Sequence, residues 1–182
     1  MWILTYLIGH NSIMSTLVWI TGLSGSGKTT IGKKVFNKFK KKYSNTIFLD
    51  GDIFRNIFGG DLKYSIKERL ENARRIHRLC KFLVLQDINV VCATISLFKE
   101  IHTMNRKEFK NYYEIFIECD MMELKKRNQK NLYSKSKKLK NRANVVGIDL
   151  PYDKPKNANL IIDNSKKNNL EIKVEKIINL VM

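Results

Sequence analysis

A chain of 182 residues, of which 43% are hydrophobic and 28% charged, has the size and composition of one globular domain with a full core. Its net charge of +17 is compatible with nucleic-acid binding, but lysine and asparagine are spread over the whole chain, as a proteome rich in both would give. Cys80, Cys92 and Cys119 form no CxxC pair and share no zinc-type spacing with histidine, which excludes an evident zinc site and favours a reducing cytoplasm.

The first thirteen residues are apolar but do not resemble a membrane or secretion signal. Residues 2–8 are too few to span a bilayer, and no lysine or arginine precedes them. Met14 stands directly before the first predicted strand and is an alternative start. We therefore interpret residues 1–13 as an N-terminal extension and residues 14–182 as a single domain, and we expect no membrane association.

A phosphate-binding loop follows the first predicted strand, Leu17–Ile20. Gly22–Thr29 matches G-x-x-x-x-G-K-[ST] at every fixed position, and a helix is predicted from Ile31 to Lys42. In this motif Lys28 reaches the β- and γ-phosphates of ATP, and Thr29 ligates Mg²⁺. The residues predicted to bind ATP are Gly22, Leu23, Ser24, Gly25, Ser26, Gly27, Lys28, Thr29 and Thr30.

Strand-like and helix-like segments alternate along the rest of the chain. Four further apolar runs are predicted strands: Thr46–Leu49, Ile88–Ile95, Tyr113–Cys119 and Leu160–Ile162. Ile66–Leu85 has helical spacing, with Leu70, Ala73, Ile76, Leu79, Cys80 and Leu83 on one face. The alternation predicts an α/β fold with a five-stranded parallel sheet flanked by helices. The stretch from Arg127 to Arg142 is polar and lacks this periodicity. A lid over about residues 127–146 is therefore predicted, which would exclude water from the phosphates.

Two aspartates follow the second predicted strand. Ligands of open α/β sheets bind beyond the carboxyl ends of the strands, so Asp50 and Asp52 are expected in the same crevice as the phosphate-binding loop. A carboxylate there can help to bind Mg²⁺ and accept a proton from an attacking hydroxyl. Arg55 can pair with an anionic acceptor.

Further motifs in this order resemble those of the adenylyl-sulfate (APS) kinase family. They are Asp50-Gly-Asp-Ile-Phe-Arg, Asp61-Leu-Lys-Tyr-Ser, Arg69-Leu-Glu-Asn-Ala-Arg-Arg, Ile95-Ser, Asn131-Leu-Tyr and Gly147-Ile-Asp-Leu-Pro-Tyr-Asp. The resemblance runs from about Leu17 to Asn164. It implies a P-loop kinase fold and transfer of the γ-phosphate of ATP, with Mg²⁺, to the ribose 3′-hydroxyl of a small nucleotide such as APS.

The resemblance also implies roles for individual residues. Asp50 would activate the acceptor hydroxyl and, with Thr29, bind the metal, and Lys28 would be catalytic. Arg127 would lie near ATP, as would the lid around Lys130, with Lys130 reaching the acceptor. The acceptor would contact Asp52, Arg55, Tyr64, Arg69, Asn72, Ile95, Ser96, Lys130 and Val145.

Two departures from the family pattern concern the acceptor. The family holds the acceptor's adenine between two phenylalanines; Tyr64 stands at one position, but Val145 at the other has no ring. After Ile95-Ser96, the family pattern continues with Pro-Tyr-Arg, whereas this chain has Leu97-Phe-Lys99. A branch that resembles this family phosphorylates cytidine diphosphoramidate in capsule decoration, and its smaller pyrimidine needs less stacking surface. We therefore prefer cytidine diphosphoramidate as the acceptor, with APS as the alternative.

A protein of another class, a basic P-loop module that binds nucleic acid, is the remaining alternative, because of the +17 charge. The acidic pair Asp50 and Asp52 in the predicted crevice and the lack of a nucleic-acid-binding motif argue against it. We expect no nucleic-acid partner and leave a homodimer open.

Overall fold

The computed structural model describes residues 15–128, 131–134, 144–166 and 168–182. The predicted extension, residues 1–13, lies outside these ranges, as do Lys130 and most of the predicted lid. No helix in the described ranges combines the length and the apolar character that crossing a membrane requires.

Five parallel strands form one sheet in the order β2-β3-β1-β4-β5. They are β1 (Leu17–Thr21), β2 (Thr46–Asp50), β3 (Asn89–Thr94), β4 (Tyr112–Glu118) and β5 (Leu160–Asp163). All six positions of β3 and all five of β1 are buried, as expected for strands covered on both faces. The predicted five-stranded parallel sheet is confirmed.

Helices connect the strands and cover the sheet. They are α1 (Lys28–Lys42), α2 (Gly51–Ile57), α3 (Ile66–Leu85), α4 (Lys99–Glu108), α5 (Met121–Arg127) and α6 (Leu170–Val181). The bounds of α3 are those predicted, and a capping box between Ser65 and Glu68 fixes its first residue. Helix α1 begins three residues earlier than predicted, because its cap is Gly27 within the phosphate-binding loop.

Separate apolar clusters fill the two sides of the sheet. One packs α1 and α6 against the sheet around Ile31, Val35 and Val174, and the other packs α3 and α4 around Trp19, Ile76 and Ile101. A third, smaller cluster around Leu23, Leu97 and Val145 lies beside the phosphate-binding loop. The two main clusters fix the strand ends that carry the candidate site.

Candidate active site

The candidate site is a cleft at the carboxyl ends of β1, β2 and β3. It is lined by the phosphate-binding loop, by the start of α2 and by the segments that follow β3 and precede β5. Among the residues predicted to bind ATP, those in the cleft wall are Ser24, Gly25, Gly27, Lys28, Thr29 and Thr30. Ligands of open α/β sheets bind at this edge, and the structure brings the loop and the end of β2 together there.

Gly22, Leu23 and Ser26 belong to the same loop but do not line the cleft. A Cβ on Gly22, whose φ is +153°, would lie 2.4 Å from the carbonyl oxygen of Ile117. Leu23 is buried in the third cluster, and Ser26 is fully buried. These three residues therefore fix the loop against β4 and the core.

Lys28 is buried at the base of the loop. Its Nζ donates a 2.8 Å hydrogen bond to the carbonyl oxygen of Leu23. The side chain also lines the cleft, so its charge can meet a phosphate group without leaving the loop.

Thr29 and Asp50 lie side by side in the cleft. The Thr29 hydroxyl donates a 2.8 Å hydrogen bond to Oδ2 of Asp50, while Oδ1 accepts from the backbone N–H groups of Asp52 and Ile53. Asp50 is the N-cap of α2, and this second pair of bonds fixes its carboxylate.

The Thr29–Asp50 oxygen pair fits Mg²⁺. Adjacent ligands of an octahedral Mg²⁺ lie about 2.9 Å apart, given metal–oxygen distances of about 2.0–2.1 Å. The two oxygens are 2.8 Å apart. Within the described ranges no group of three or more His, Cys, Asp or Glu side chains could hold a metal, so Mg²⁺ at this pair would need substrate phosphates and water as its other ligands.

Two arginines and a tyrosine, all three predicted to contact the acceptor, lie together in the cleft wall. The guanidinium carbons of Arg55 and Arg69 lie 4.9 and 5.1 Å from the ring centre of Tyr64. Burial, and then the charge of Arg55, lower the pKa of Arg69. Two cations in one partly buried corner favour an anionic ligand.

Both arginines also fix backbone segments. Arg55 donates to the carbonyl oxygens of Leu62 and Lys63 at 2.8 and 2.7 Å. Arg69 donates to the carbonyl oxygens of Tyr64 and Asn144, at 2.9 Å each. Arg69 therefore joins the segment before α3 to the last residues of the predicted lid.

The other predicted acceptor residues in the cleft wall are Asp52, Asn72, Ile95 and Ser96. Two aromatic rings that stand in the quoted motifs but were not among the predicted acceptor residues, Phe98 and Tyr152, also line it. Tyr152 comes close to the 97–99 segment because the carboxylate of Asp153 accepts the N–H of Lys99. Tyr152 belongs to the Gly-Ile-Asp-Leu-Pro-Tyr-Asp motif, which could have marked it as a candidate site residue. Sequence spacing does not show, however, that the Tyr152 ring faces the cleft.

The expectation that Val145 forms a wall of the acceptor site is corrected by the structure. Val145 is 3% exposed and packs in the third cluster, whereas its neighbour Val146 lines the cleft. The cause is a tight turn: the carbonyl oxygen of Val145 accepts from the N–H groups of residues 148, 149 and 150. The departure from the family's aromatic residue therefore does not leave a hole in the cleft at position 145.

A second cleft opens on the other side of the phosphate-binding loop. It is lined by Gly25, Gly27, Thr30, Ile31, Arg127, Asn164, Asn168 and Leu170. Arg127, predicted to lie near ATP, is in this cleft; Asn164, Asn168 and Leu170 were not predicted. The phosphate-binding loop lies between the two clefts, and Gly25, Gly27 and Thr30 line both.

Comparisons with known proteins agree with this architecture. A family model described as adenylylsulphate kinase matches residues 14–163. The chain belongs to the adenylylsulphate kinase family. It is an ATP-dependent phosphotransferase.

Relatives with two different acceptors match most of the chain. A cytidine diphosphoramidate kinase from Campylobacter jejuni is 52% identical over 162 residues, which cover 89% of this chain and 94% of that protein. An adenylyl-sulfate kinase from Bacillus licheniformis is 37% identical over 166 residues, 90% of this chain and 83% of that protein.

The fold also matches the solved structure of a complex. The structure of a Mycobacterium tuberculosis APS kinase in complex with AMPPNP and APS superposes with a TM-score of 0.82 and 30% sequence identity, over 92% of this chain and 97% of that chain. The predicted P-loop kinase fold is therefore confirmed.

Proposed function

We propose that this enzyme transfers the γ-phosphate of ATP to the ribose 3′-hydroxyl of cytidine diphosphoramidate. The observation that carries the choice of acceptor is the 52% identity to a cytidine diphosphoramidate kinase, against 37% to the adenylyl-sulfate kinase from Bacillus licheniformis. The cleft supports the chemistry, because it joins a phosphate-binding loop, a carboxylate and a pair of arginines. A role in capsule decoration stays a prediction from the resemblance to that branch.

In this proposal the ATP phosphates bind along the phosphate-binding loop. Lys28 meets the charge of the β- and γ-phosphates, and the N-terminus of α1 adds a favourable dipole. Arg127 and the second cleft lie on the side of the loop where the nucleoside of ATP would bind. Thr29 and Asp50 would hold Mg²⁺, which would neutralise charge on the phosphates.

The acceptor binds on the other side of Asp50. Its diphosphate-like tail pairs with Arg55 and Arg69, and its base lies against the ring of Tyr64. The 3′-hydroxyl approaches the Asp50 carboxylate, which orients it and accepts its proton as the phosphoryl group is transferred. Asp52, Asn72, Ile95 and Ser96 complete the wall of this site.

APS is the second candidate acceptor, and a specific observation supports it. Tyr64, Phe98 and Tyr152 line one cleft, so the site is richer in aromatic rings than the loss of a phenylalanine at position 145 suggested. Aromatic surface favours purines as well as pyrimidines.

The test is a coupled assay that follows ADP production with each acceptor at matched concentrations. We expect turnover with cytidine diphosphoramidate and none with its 3′-deoxy analogue, which lacks the acceptor hydroxyl. Turnover of the 3′-deoxy analogue would contradict transfer to the 3′ position. Turnover of APS alone would replace the proposed acceptor with the second candidate.

A further inference from the structure

Three consecutive carbonyl groups of the phosphate-binding loop are each bound by one side chain from outside the loop. The Tyr133 hydroxyl donates to the oxygen of Ser24 at 2.7 Å, Nη1 of Arg127 to that of Gly25 at 3.1 Å, and Nδ2 of Asn164 to that of Ser26 at 2.7 Å. We call Arg127, Tyr133 and Asn164 the carbonyl clamp. Its members lie 102 to 138 positions from their partners, so the fold brings them together.

The clamp side chains are buried and have further anchors. Tyr133 is 3% exposed, and burial raises the pKa of its hydroxyl to about 12, so it stays a hydrogen-bond donor. Nε of Arg127 donates to the carboxylate of Glu123 at 2.9 Å. Oδ1 of Asn164 accepts from Nζ of Lys173 at 2.8 Å, which fixes which end of the amide faces the loop.

Because a peptide unit is planar, a bond that holds its carbonyl group also fixes the direction of the N–H group in the same unit. In a trans peptide the N–H points opposite to the C=O of the preceding residue. With the carbonyls of Ser24 and Ser26 held by Tyr133 and Asn164, the N–H groups of Gly25 and Gly27 point away from those side chains. Gly25 and Gly27 both line the cleft.

Asn164 also explains the glycine at position 27. A Cβ there would lie 2.4 Å from Nδ2 of Asn164, and the φ of +102° disfavours any other residue. The side chain of Asn164 therefore fills the space directly beneath the N-cap of α1, where it lines the second cleft.

We propose that Tyr133 and Asn164 are positioning residues that orient the N–H groups of Gly25 and Gly27 toward the β-phosphate of the nucleotide. Arg127 holds the peptide between them, whose Ser26 N–H donates to the carbonyl oxygen of Leu23 at 3.1 Å. The proposal rests on the proposed binding of ATP phosphates by this loop, and it assigns to Tyr133 and Asn164 a role that the motif does not contain. Dipoles that are oriented before the ligand arrives need no reorganisation when it binds.

The test measures the affinity of the full-length enzyme for ADP and for AMP by calorimetry. Tyr133→Phe removes one hydroxyl and keeps the buried ring; Asn164→Asp keeps the shape but replaces the donor to Ser26 with an oxygen. We expect ADP binding to weaken about fivefold in Tyr133→Phe and about tenfold or more in Asn164→Asp. AMP, which lacks a β-phosphate, should change by less than about twofold in Tyr133→Phe. Asn164→Asp also places a negative charge in the second cleft, so its loss of ADP affinity should exceed its loss of AMP affinity.

Tyr112→Phe is the matched control. It also removes a largely buried hydroxyl, one that donates to Glu114 at 3.3 Å on the α4 side of the sheet, so it reports general loss of stability. Its ADP affinity should equal that of the wild type. Melting temperatures without nucleotide show whether each variant folds, and Tyr133→Phe, as the mildest change, keeps the test informative if Asn164→Asp does not.

Several outcomes would overturn the carbonyl clamp. These are unchanged ADP affinity in both folded variants, equal losses for ADP and AMP, or an equal loss in Tyr112→Phe. A wild-type enzyme that binds neither ADP nor ATP would instead contradict the proposed function, so the two failures are distinguishable.

Discussion

Oγ1 of Thr29 and Oδ2 of Asp50 are 2.8 Å apart, although 21 positions separate the two residues in the chain. Thr29 is in the first turn of α1 and Asp50 is the last residue of β2, so the parallel sheet brings the ends of two β–α units together. The β1–α1 unit contains the phosphate-binding loop, and the β2–α2 unit contains the Asp50 carboxylate. In the proposed function, their contact is where the metal, the γ-phosphate and the acceptor hydroxyl would meet.

The first prediction concerns the charge of Lys28. Lys28→Ala should lower kcat/KM by about 10³-fold or more, because the charge that meets the β- and γ-phosphates is lost. Lys33→Ala is the control: it removes the same charge from an exposed position of α1 and should leave turnover unchanged. Near-wild-type turnover in a Lys28→Ala protein with a normal circular dichroism spectrum would refute the assignment of the phosphate-binding loop.

The second prediction separates chemistry from binding at Asp50. Asp50→Asn keeps an oxygen to cap α2 but removes the negative charge, and kcat should fall by roughly 10²-fold or more. Asp61→Asn, which breaks an ion pair with Arg75, is the control for the loss of one carboxylate elsewhere. If Asp50→Asn raises KM with kcat unchanged, Asp50 binds substrate and is not the proposed base.

A third prediction concerns acid stability. Glu114 on β4 is fully buried and pairs with His102 and with Nη2 of Arg106, the latter at 2.6 Å. Burial raises the pKa of Glu114, but its bonds and charges with His102 and Arg106 outweigh burial and hold the pKa below its ordinary value of 4.5. A lowered carboxyl pKa stabilises the fold above about pH 4.5, and this contribution is lost as the pH falls through the folded-state value.

Glu114→Gln is the variant that tests this. It should lower the free energy of unfolding by about 3–5 kcal/mol at pH 7, because it leaves Arg106 and His102 without their carboxylate. The difference from the wild type should shrink as the pH falls below about 4.5 in urea denaturation. Glu100→Gln breaks an exposed pair with Arg74 and should cost less than about 1 kcal/mol. A pH-independent difference would contradict the coupling of Glu114 to stability.

The fourth prediction concerns the wall of the acceptor site. Val146 faces the cleft and Val145 the core, so Val146→Phe should add an aromatic surface and shift the kcat/KM ratio toward APS by up to about tenfold. Val145→Phe should instead overpack the third cluster and lower the free energy of unfolding by about 1–3 kcal/mol with little change in that ratio. The opposite pattern would show that residue 145 forms the wall.

The features that could be predicted from the sequence are those whose backbone geometry is determined by a short sequence motif. The glycines, Lys28 and Thr29 stand at fixed positions of one motif, and Asp50 follows a strand whose end must lie at the ligand edge. The bounds of α3 follow from its apolar spacing and from the capping box at Ser65. These features depend on neighbours in the chain, so they can be read without the fold.

The parts that sequence reasoning missed depend on loops that meet across the fold. Val145 and Val146 are the same residue type, so the sequence does not show which of them faces the cleft. A turn with a φ of +52° at Asn144 and +86° at Gly147 determines this. Tyr152 and Phe98 reach the same wall through the contact between Asp153 and Lys99. Asn164 stands at the end of β5, and nothing in its local pattern indicates a bond to Ser26.

The measurement that tests the account most directly is the ratio of kcat/KM for cytidine diphosphoramidate to that for APS in the unmodified enzyme, with ATP and Mg²⁺ in excess. We predict a ratio above about ten, since a tenfold preference needs only ~1.4 kcal/mol of differential transition-state binding. A ratio well below one would contradict the proposed acceptor and make the enzyme an adenylyl-sulfate kinase.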